Sequence, residues 1–233
     1  RGRDGDLVAQ FRIDEGPDAL PTAIDVVRNT PWVSISRGCL SGLCERKTIV
    51  LDPLSLTPTA TMTGGVVDVA VSGTRAYVIT ELPSEIRVVN VSDPLHPVVS
   101  TARATEGTPA PVAIASPGGD VLVLGEKLYS YSELGLNKTA DRLASYVPAA
   151  EGGTSYADQR IATLGACAVI TSRAFNPQFY ALPQFGLARE APVPSVVRSV
   201  AVSGDRLYVL TDHSIEVWSP APLAQPPRHR PTR

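Results

Sequence analysis

The sequence predicts an all-β fold, specifically a five-bladed β-propeller of four-stranded antiparallel blades. The 233 residues include 18 Gly and 21 Pro, a composition that favours frequent turns over long helices. Short apolar runs of strand length recur along the chain and are separated by turn residues. A six-residue pattern also returns at a period close to the ~40–45 residues of a four-stranded propeller blade.

The six-residue pattern marks the first strand of each predicted blade. Its five copies are "DVVRNT" at 25–30, "DVAVSG" at 68–73, "AIASPG" at 113–118, "RIATLG" at 160–165 and "SVAVSG" at 199–204. Measured at the second letter, the intervals between copies are 43, 45, 47 and 39 residues. Internal periodicity of this kind predicts a repeat architecture rather than a set of unrelated motifs.

Two further strands follow the pattern in every copy. The second runs are "PWVSIS", "RAYVIT", "DVLVLG", "ACAVIT" and "RLYVLT", and the third are "RKTIVLD", "EIRVVNV", "EKLYSYS", "PQFYALP" and "SIEVWSP". The third runs alternate small or polar residues with large apolar residues, as half-buried strands do. Asp52-Pro53, Asp93-Pro94 and Ser219-Pro220 then predict turns at matching places, because Pro fixes φ and Asp accepts local hydrogen bonds.

The position of the fourth strand in the last blade indicates how the ring of five predicted blades closes. "VAQFRIDEG" from Val8 matches the fourth strand "VSTARATEG" from Val99, while the last copy has only three strands before a Pro-rich tail. We therefore predict that residues 7–13 complete the last blade, which removes two exposed sheet edges. The predicted blades are 23–64, 65–107, 108–152, 153–193, and 194–220 with 7–13, all within one domain, 1–220. Residues 221–233 are predicted to be a Pro/Arg-rich linker or tail.

Residues 64–99 resemble the LVIVD-repeat family, whose repeats contain segments like "DVAVSG", an aromatic-Val strand and "RVVNVSDP". Copies 1 and 5 match in part, and copies 3 and 4 have diverged to "YSYSELGL" and "FYALPQFG". The resemblance implies a β-propeller of the type found in bacterial surface and secreted proteins. It brings no catalytic motif to this chain.

Charge and hydropathy restrict the class of partner. Lys and Arg number 21 against 23 Asp and Glu, so no strong field attracts nucleic acid. No apolar run approaches the ~20 residues that a membrane span needs, which argues against membrane insertion. The chain begins at Arg1 without a signal-like segment, and we expect a mature or excised piece of a longer precursor. We expect a secreted, cell-surface or periplasmic location.

Three cysteines lie in two different settings. Cys39 and Cys44 flank a Gly- and Ser-containing loop, and we predict a disulfide between them; two reduced thiols are the alternative. Cys167 lies within the strand "ACAVIT" and is predicted to be a buried small hydrophobe rather than a nucleophile. Neither the cysteines nor the scattered histidines complete a four-ligand zinc site, so we predict no metal and no cofactor.

The first letter of the repeat is the candidate ligand-binding position, because the innermost strands of a propeller converge on its channel. It places together Asp25, Asp68, Ala113, Arg160 and Ser199, with Arg198 alongside. Such a set suits a small polar ligand, an ion or a water cluster. The alternative, which we favour, is mutual neutralisation of Asp and Arg, because isolated buried charges are costly. No catalytic residue is predicted.

The aromatic residues are interpreted as packing between blades rather than as a carbohydrate platform; they are Trp32, Tyr77, Tyr129, Tyr208 and Trp218. The connectors that depart most from the repeat are "SRGCLSGLCERK", "GGTSYADQR" and "TSRAFNPQF", and such loops often bind partners. We therefore expect a non-enzymatic extracellular or cell-envelope module that binds a protein partner or a parent assembly. A glycosidase or lactonase-like hydrolase at the channel mouth and a glycan-binding lectin are the alternatives.

Overall fold

The computed structural model describes residues 10, 12, 18–38, 44–105, 112–125, 127–142, 160–164, 167–172, 175–182, 186–190, 197–203 and 206–218. Across these residues the secondary structure is entirely β, with no helix. Thus no helix in the described part of the chain is long and apolar enough to cross a membrane. The chain divides into two compact units, Arg1–Ala144 and Ser145–Arg233.

The first unit contains three antiparallel sheets, each with its strands in chain order. The first sheet is β1 (Leu20–Val27), β2 (Thr30–Arg37), β3 (Glu45–Leu51) and β4 (Pro58–Thr63). The second is β5 (Gly65–Ser72), β6 (Arg75–Glu81), β7 (Glu85–Asn90) and β8 (Val98–Ala104). The third is β9 (Ala113–Ala115), β10 (Asp120–Leu124), β11 (Leu128–Ser132) and β12 (Lys138–Arg142).

The second unit contains two antiparallel sheets. The fourth sheet is β13 (Arg160–Leu164), β14 (Cys167–Ser172), β15 (Phe175–Ala181) and β16 (Gly186–Glu190). The last sheet has three described strands, β17 (Val197–Ser203), β18 (Arg206–Thr211) and β19 (Ile215–Trp218). The predicted closing strand, 7–13, lies outside the described residues apart from Gln10 and Arg12.

Apolar cores hold neighbouring sheets face to face. Between the first and second sheets, Trp32 and Val50 pack with Val66 and Val78. Burying side chains of this size contributes roughly 1.5–3 kcal/mol each relative to exposure, before the cost of ordering the chain. Consecutive apolar residues along middle strands such as β6 and β10 thus supply side chains to both faces of the sheet, because successive side chains of a strand point to opposite faces.

The same packing joins the second sheet to the third and the fourth to the last. Tyr77 and Ile79 share a core with Tyr129, and Leu164 shares another with Leu207, against which Trp218 packs. The prediction that the repeated aromatics are packing residues is confirmed for Trp32, Tyr77, Tyr129 and Trp218; Tyr208 is half-buried.

Cys167 is also placed as predicted. It is a free, buried cysteine at the start of β14, and burial raises the pKa of its thiol. Both properties disfavour a thiolate nucleophile at neutral pH. Cys44 immediately precedes β3, whereas Cys39 lies outside the described residues, so the loop disulfide stays a prediction.

The first repeat copy is out of register with the others, and its alignment at 25–30 is wrong by two residues. The β1–β2 hairpin closes at the pair Val27 and Thr30, and the β5–β6 hairpin closes at Ser72 and Arg75. Arg28 and Asn29 form the two-residue turn, both with positive φ. When β1 and β5 are aligned at their hairpin-closing residues, Val27 and Ser72, Asp25 aligns with Ala70, and Ala23 aligns with Asp68.

The two Asp-Pro pairs form turns, but not at equivalent places. Asp52 follows β3 directly, and its Oδ1 accepts hydrogen bonds from Leu54 N (2.9 Å) and Ser55 N (2.8 Å). In the second sheet the corresponding position is held by Asn90, whose Oδ1 accepts from Ser92 N at 2.9 Å. Asp93 comes three residues later, within a longer turn. Asn and Asp both make this local bond, which is why the sequence alone suggested a false match. Ser219-Pro220 lies outside the described residues.

Candidate functional site

The inner strands of the first unit form the candidate site. β1 lies beside β5, and β5 lies beside β9, so the first strands of the three sheets are neighbours. Asp25, Asp68 and Ala113 lie on these strands, as the repeat predicted. The shifted register of β1 nevertheless means that Asp25 is not the counterpart of Asp68.

Asp68 joins two inner strands through its carboxylate. Its Oδ2 accepts a hydrogen bond from Ile114 N on β9 at 2.8 Å, and its Oδ1 accepts from Val69 N at 3.0 Å. A charged acceptor on an amide at a strand edge makes a stronger bond than a neutral acceptor. Asp68 therefore connects the second sheet to the third at their innermost strands.

A bulge in β5 precedes Asp68. Val66 pairs with Thr80 and Asp68 pairs with Ile79, so Val67 is an extra residue in the ladder. The same irregularity occurs in β1 between Pro21 and Ala23. A bulge adds local twist and redirects the side chains around it. Its position is not evident from the sequence, because the apolar run "GGVVDVAV" continues through it without interruption.

Among the residues that the structure describes, Asp25 has the titratable side chain whose pKa shift is large enough to carry a value. Burial, and to a smaller extent the nearby negative charge of Asp68, together raise its pKa from 3.8 to about 6. Both effects disfavour the ionised carboxylate. Asp25 is half-buried and directly opposite Trp32 in the β1–β2 ladder. A carboxyl that changes charge near pH 6 is suited to proton exchange at mildly acidic pH.

The remaining predicted site residues belong to the second unit. Arg160 begins β13 and is exposed, whereas Arg198 and Ser199 lie on β17. β13 and β17 are neighbours within this unit. The ladder steps from Val197 to Ser199, which makes Arg198 the extra residue of a bulge like that at Val67. Asp68 and Ser199 thus hold equivalent positions in their own sheets, as predicted.

A separate pocket lies on the first sheet. It has a volume of about 570 Å³, and its lining is mostly apolar: Pro21, Ile24, Pro31, Val33, Leu51 and Leu56. Thr22 also lines the pocket, and its hydroxyl donates a hydrogen bond to the Ser34 carbonyl at 3.2 Å. None of the lining side chains is a general base. Within the part of the chain that the structure describes, no group of three or more His, Cys, Asp or Glu side chains is arranged to hold a metal ion.

The sequence predicted the inner-strand position but missed the partner of Asp68. Ile114 binds through its backbone N–H, and a backbone donor leaves no signature in residue type. The pairing depends on how β9 lies beside β5, which is a property of two sheets packed together.

Solved structures with the same fold are β-propellers. A chain in the mitotic checkpoint complex aligns with a TM-score of 0.66 and 12% identity, covering 91% of this chain and 65% of that chain. The β-propeller domain of Cps50 (Swd1) from Myceliophteria thermophila aligns with a TM-score of 0.61 and 8% identity, covering 88% of this chain and 67% of that domain. At such identities the likeness establishes the fold alone.

BamB from Moraxella catarrhalis is a third similar structure, with a TM-score of 0.51 and 11% identity over 84% of this chain and 57% of that one. The chain therefore spans 57% to 67% of the lengths of these three structures. No protein-family model matches the sequence, and no curated protein matches it either. The fold is a β-propeller, and the resemblance to LVIVD repeats stays a prediction.

Proposed function

We propose that this chain is a non-enzymatic β-propeller module of the cell envelope or extracellular space that binds a protein partner or a parent assembly. The observation that carries the proposal is the role of Asp68. Its two carboxylate oxygens accept from backbone amides of Val69 and Ile114. A carboxylate used in this way stabilises the contact between inner strands, and its lone pairs are less available for catalysis.

Two of the similar structures agree with an assembly role. One comes from a complex, the mitotic checkpoint complex, and another is a propeller domain of a larger chain. Propellers present loops on a rigid scaffold, and binding residues concentrate on such loops. Of the three connectors that depart most from the repeat, we propose two as the partner-binding loops, at 38–44 within "SRGCLSGLCERK" and at 153–159 within "GGTSYADQR".

The architecture that we propose for the module is a closed ring of five blades. Residues 7–13 would supply a fourth strand to the last sheet, of which three strands are described. The connection from this strand to β1 would be residues 14–19, six residues long. That length lies between the single residue that joins β4 to β5 and the eight that join β8 to β9. A closing strand would also remove the exposed edge of β19.

The partner experiment is cross-linking of the tagged chain in its source cells, followed by fractionation. We expect the chain outside the cytoplasm and in a complex of fixed stoichiometry. Replacing 153–159 with a Gly/Ser linker of equal length should abolish the complex, whereas a Gly/Ser replacement of equal length at the 116–119 hairpin should not. A chain recovered alone, or confined to the cytoplasm, would overturn the proposal.

Asp25 supports one alternative, a hydrolase. Its pKa of about 6 suits a general acid that works with an ionised partner such as Asp68. Chromogenic glycosides and lactones should be screened from pH 4 to pH 8 with the wild-type chain and with folded Asp25→Ala and Asp68→Ala variants. Turnover that both variants abolish would replace the binding proposal with a hydrolase. Binding on a glycan array would favour the lectin alternative.

A further inference from the structure

Asp25 and Trp32 form a pair that departs from the repeat. The two residues are directly opposite each other in the β1–β2 ladder. In the second, fourth and last sheets, counted from the residues that close the first hairpin, the position of Asp25 is held by alanine, at Ala70, Ala162 and Ala201. The first sheet therefore has a carboxyl where these three sheets have a methyl group, and it has this carboxyl opposite a tryptophan.

The indole N–H of Trp32 has no acceptor. Trp32 is fully buried and packs in one core with Val27 and Val50, and its Nε1 atom has no hydrogen-bond partner. Ser34 lies two residues further along β2 and on the same face, but its hydroxyl oxygen accepts from Val66 N at 2.9 Å. An unpaired buried donor is costly, and in folded proteins such groups are usually paired with a bound water or a ligand.

The Asp25 carboxyl lies on the same face as this donor. Residues directly opposite each other in an antiparallel ladder have Cβ atoms about 4.5–5.5 Å apart and side chains on one face. Asp25 is half-buried, and no donor among the described residues binds its oxygens. Its charged neighbour is Asp68, whose own oxygens accept from Val69 N and Ile114 N. A donor without an acceptor and a carboxyl without a donor thus lie side by side.

We propose that Trp32 and Asp25 bind one hydroxyl group between them. The hydroxyl oxygen accepts the hydrogen bond of Trp32 Nε1–H, and the hydroxyl proton is donated to the Asp25 carboxyl. A hydroxyl fits because it is a donor and an acceptor at once, whereas an ammonium group or a metal ion would leave the indole N–H unpaired. The negative charges of Asp25 and Asp68 disfavour an anion.

The ligand class is therefore a neutral hydroxyl, supplied by water or by a small polyol. The inference goes beyond the proposed function, because the site lies within the first sheet and needs no protein partner. It also gives Trp32 a binding role in addition to its packing role. The ring fills the core, and the N–H remains for the ligand.

NMR of the indole N–H groups tests the site in the full isotope-labelled chain. The chain has two tryptophans, and a Trp218→Phe variant assigns their signals. We expect a nuclear Overhauser contact between Trp32 N–H and a long-lived water at about pH 8, where Asp25 is ionised and has no proton to relay to solvent. The internal control is Trp218, whose Nε1 donates directly to Glu216 at 3.1 Å.

Two variants of Asp25 separate the hydroxyl site from simple proximity to solvent. Asp25→Asn retains an acceptor oxygen and should keep the water contact, whereas Asp25→Leu has a similar volume without an acceptor and should lose it. An unchanged Trp218 signal shows that each variant is folded. Absence of the contact in the wild-type chain would overturn the proposal, and so would a contact that persists in folded Asp25→Leu.

Titration with glycerol identifies the source of the hydroxyl. A saturable shift of the Trp32 signal, with loss of the water contact, assigns the site to a polyol. An unchanged contact assigns it to water. A glycerol-dependent shift that is equal in the wild-type chain and in Asp25→Leu would contradict a site built on Asp25.

Discussion

The Oδ2 of Asp68 accepts the hydrogen bond of Ile114 N at 2.8 Å, across the boundary between the second and third sheets. The bond joins residues 46 apart in sequence and connects the innermost strands of the two sheets. It gives the carboxylate a structural role that can be measured.

Replacing Asp68 with Ala should destabilise the chain. The variant leaves Ile114 N–H without this acceptor, a loss worth about 1–3 kcal/mol. Asp68→Asn retains an acceptor oxygen without the charge and should lose less. Urea unfolding monitored by tryptophan fluorescence measures both. Asp18→Asn, at an exposed site, is the control; an equal midpoint for Asp68→Ala and the control would exclude the structural role.

Asp25 should make stability fall as pH rises from about 4 to about 6. Its folded-state pKa of about 6 exceeds the ordinary value of 3.8, so the folded chain binds the proton more tightly than the unfolded chain. The stabilisation from protonated Asp25 is fully present below pH 3.8 and is lost as the pH rises to about 6. Above that pH, Asp25 causes no further change in stability. The measurement is a series of unfolding curves between pH 3 and pH 8.

Asp25→Asn should remove this pH dependence. We expect the variant to be more stable at pH 7 by about 1 kcal/mol, a figure reduced for the solvent that screens a half-exposed carboxyl. Subtracting the free energy of unfolding of the variant from that of the wild type at each pH isolates the effect of Asp25. Asp52 and Asp93 have lowered pKa values, so they destabilise both proteins equally as the pH falls, and their effect cancels. Parallel curves for the two proteins would contradict the assignment.

Thiol titration should find a single thiol, and only after unfolding. Cys167 is buried and should react slowly in the native chain. In denaturant without reductant we expect one thiol per chain, rising to three after reduction. Three thiols before reduction would refute the Cys39–Cys44 disulfide, whereas a Cys167→Ala variant should give none if the bridge is present.

Deleting residues 1–13 should reduce the yield of folded chain. If 7–13 is the fourth strand of the last sheet, its loss exposes the edge of β19 to aggregation. Deleting 221–233 is the matched control, because the sequence predicts that this Pro-rich segment contributes no strand. Soluble yield and thermal midpoint measure the effect. Equal values for the two deletions would contradict the prediction that residues 7–13 form a closing strand.

Much of the fold follows from the residue pattern. The runs "RAYVIT" and "RLYVLT" predict middle strands because each has four consecutive apolar residues, and a continuous apolar run of this length suits a strand that is buried on both faces of its sheet. Trp32 and Tyr77 are recognisable as packing residues because they recur at one place in the repeat. The candidate site was predicted less well: Asp25 and Asp68 were both found, but as equivalent residues, which the hairpin turns contradict.

The sequence by itself determined the all-β class, the repeated strands and the burial of the aromatic residues, because each depends on periodicity along one stretch of chain. Only the tertiary structure decided that Arg28 and Asn29 shift β1 by two residues, that Asn90 rather than Asp93 corresponds to Asp52, and that Asp68 binds a backbone amide of the next sheet. The physical reason is that register, turn conformation and backbone donors are set by contacts between strands, and the one-letter pattern does not record them.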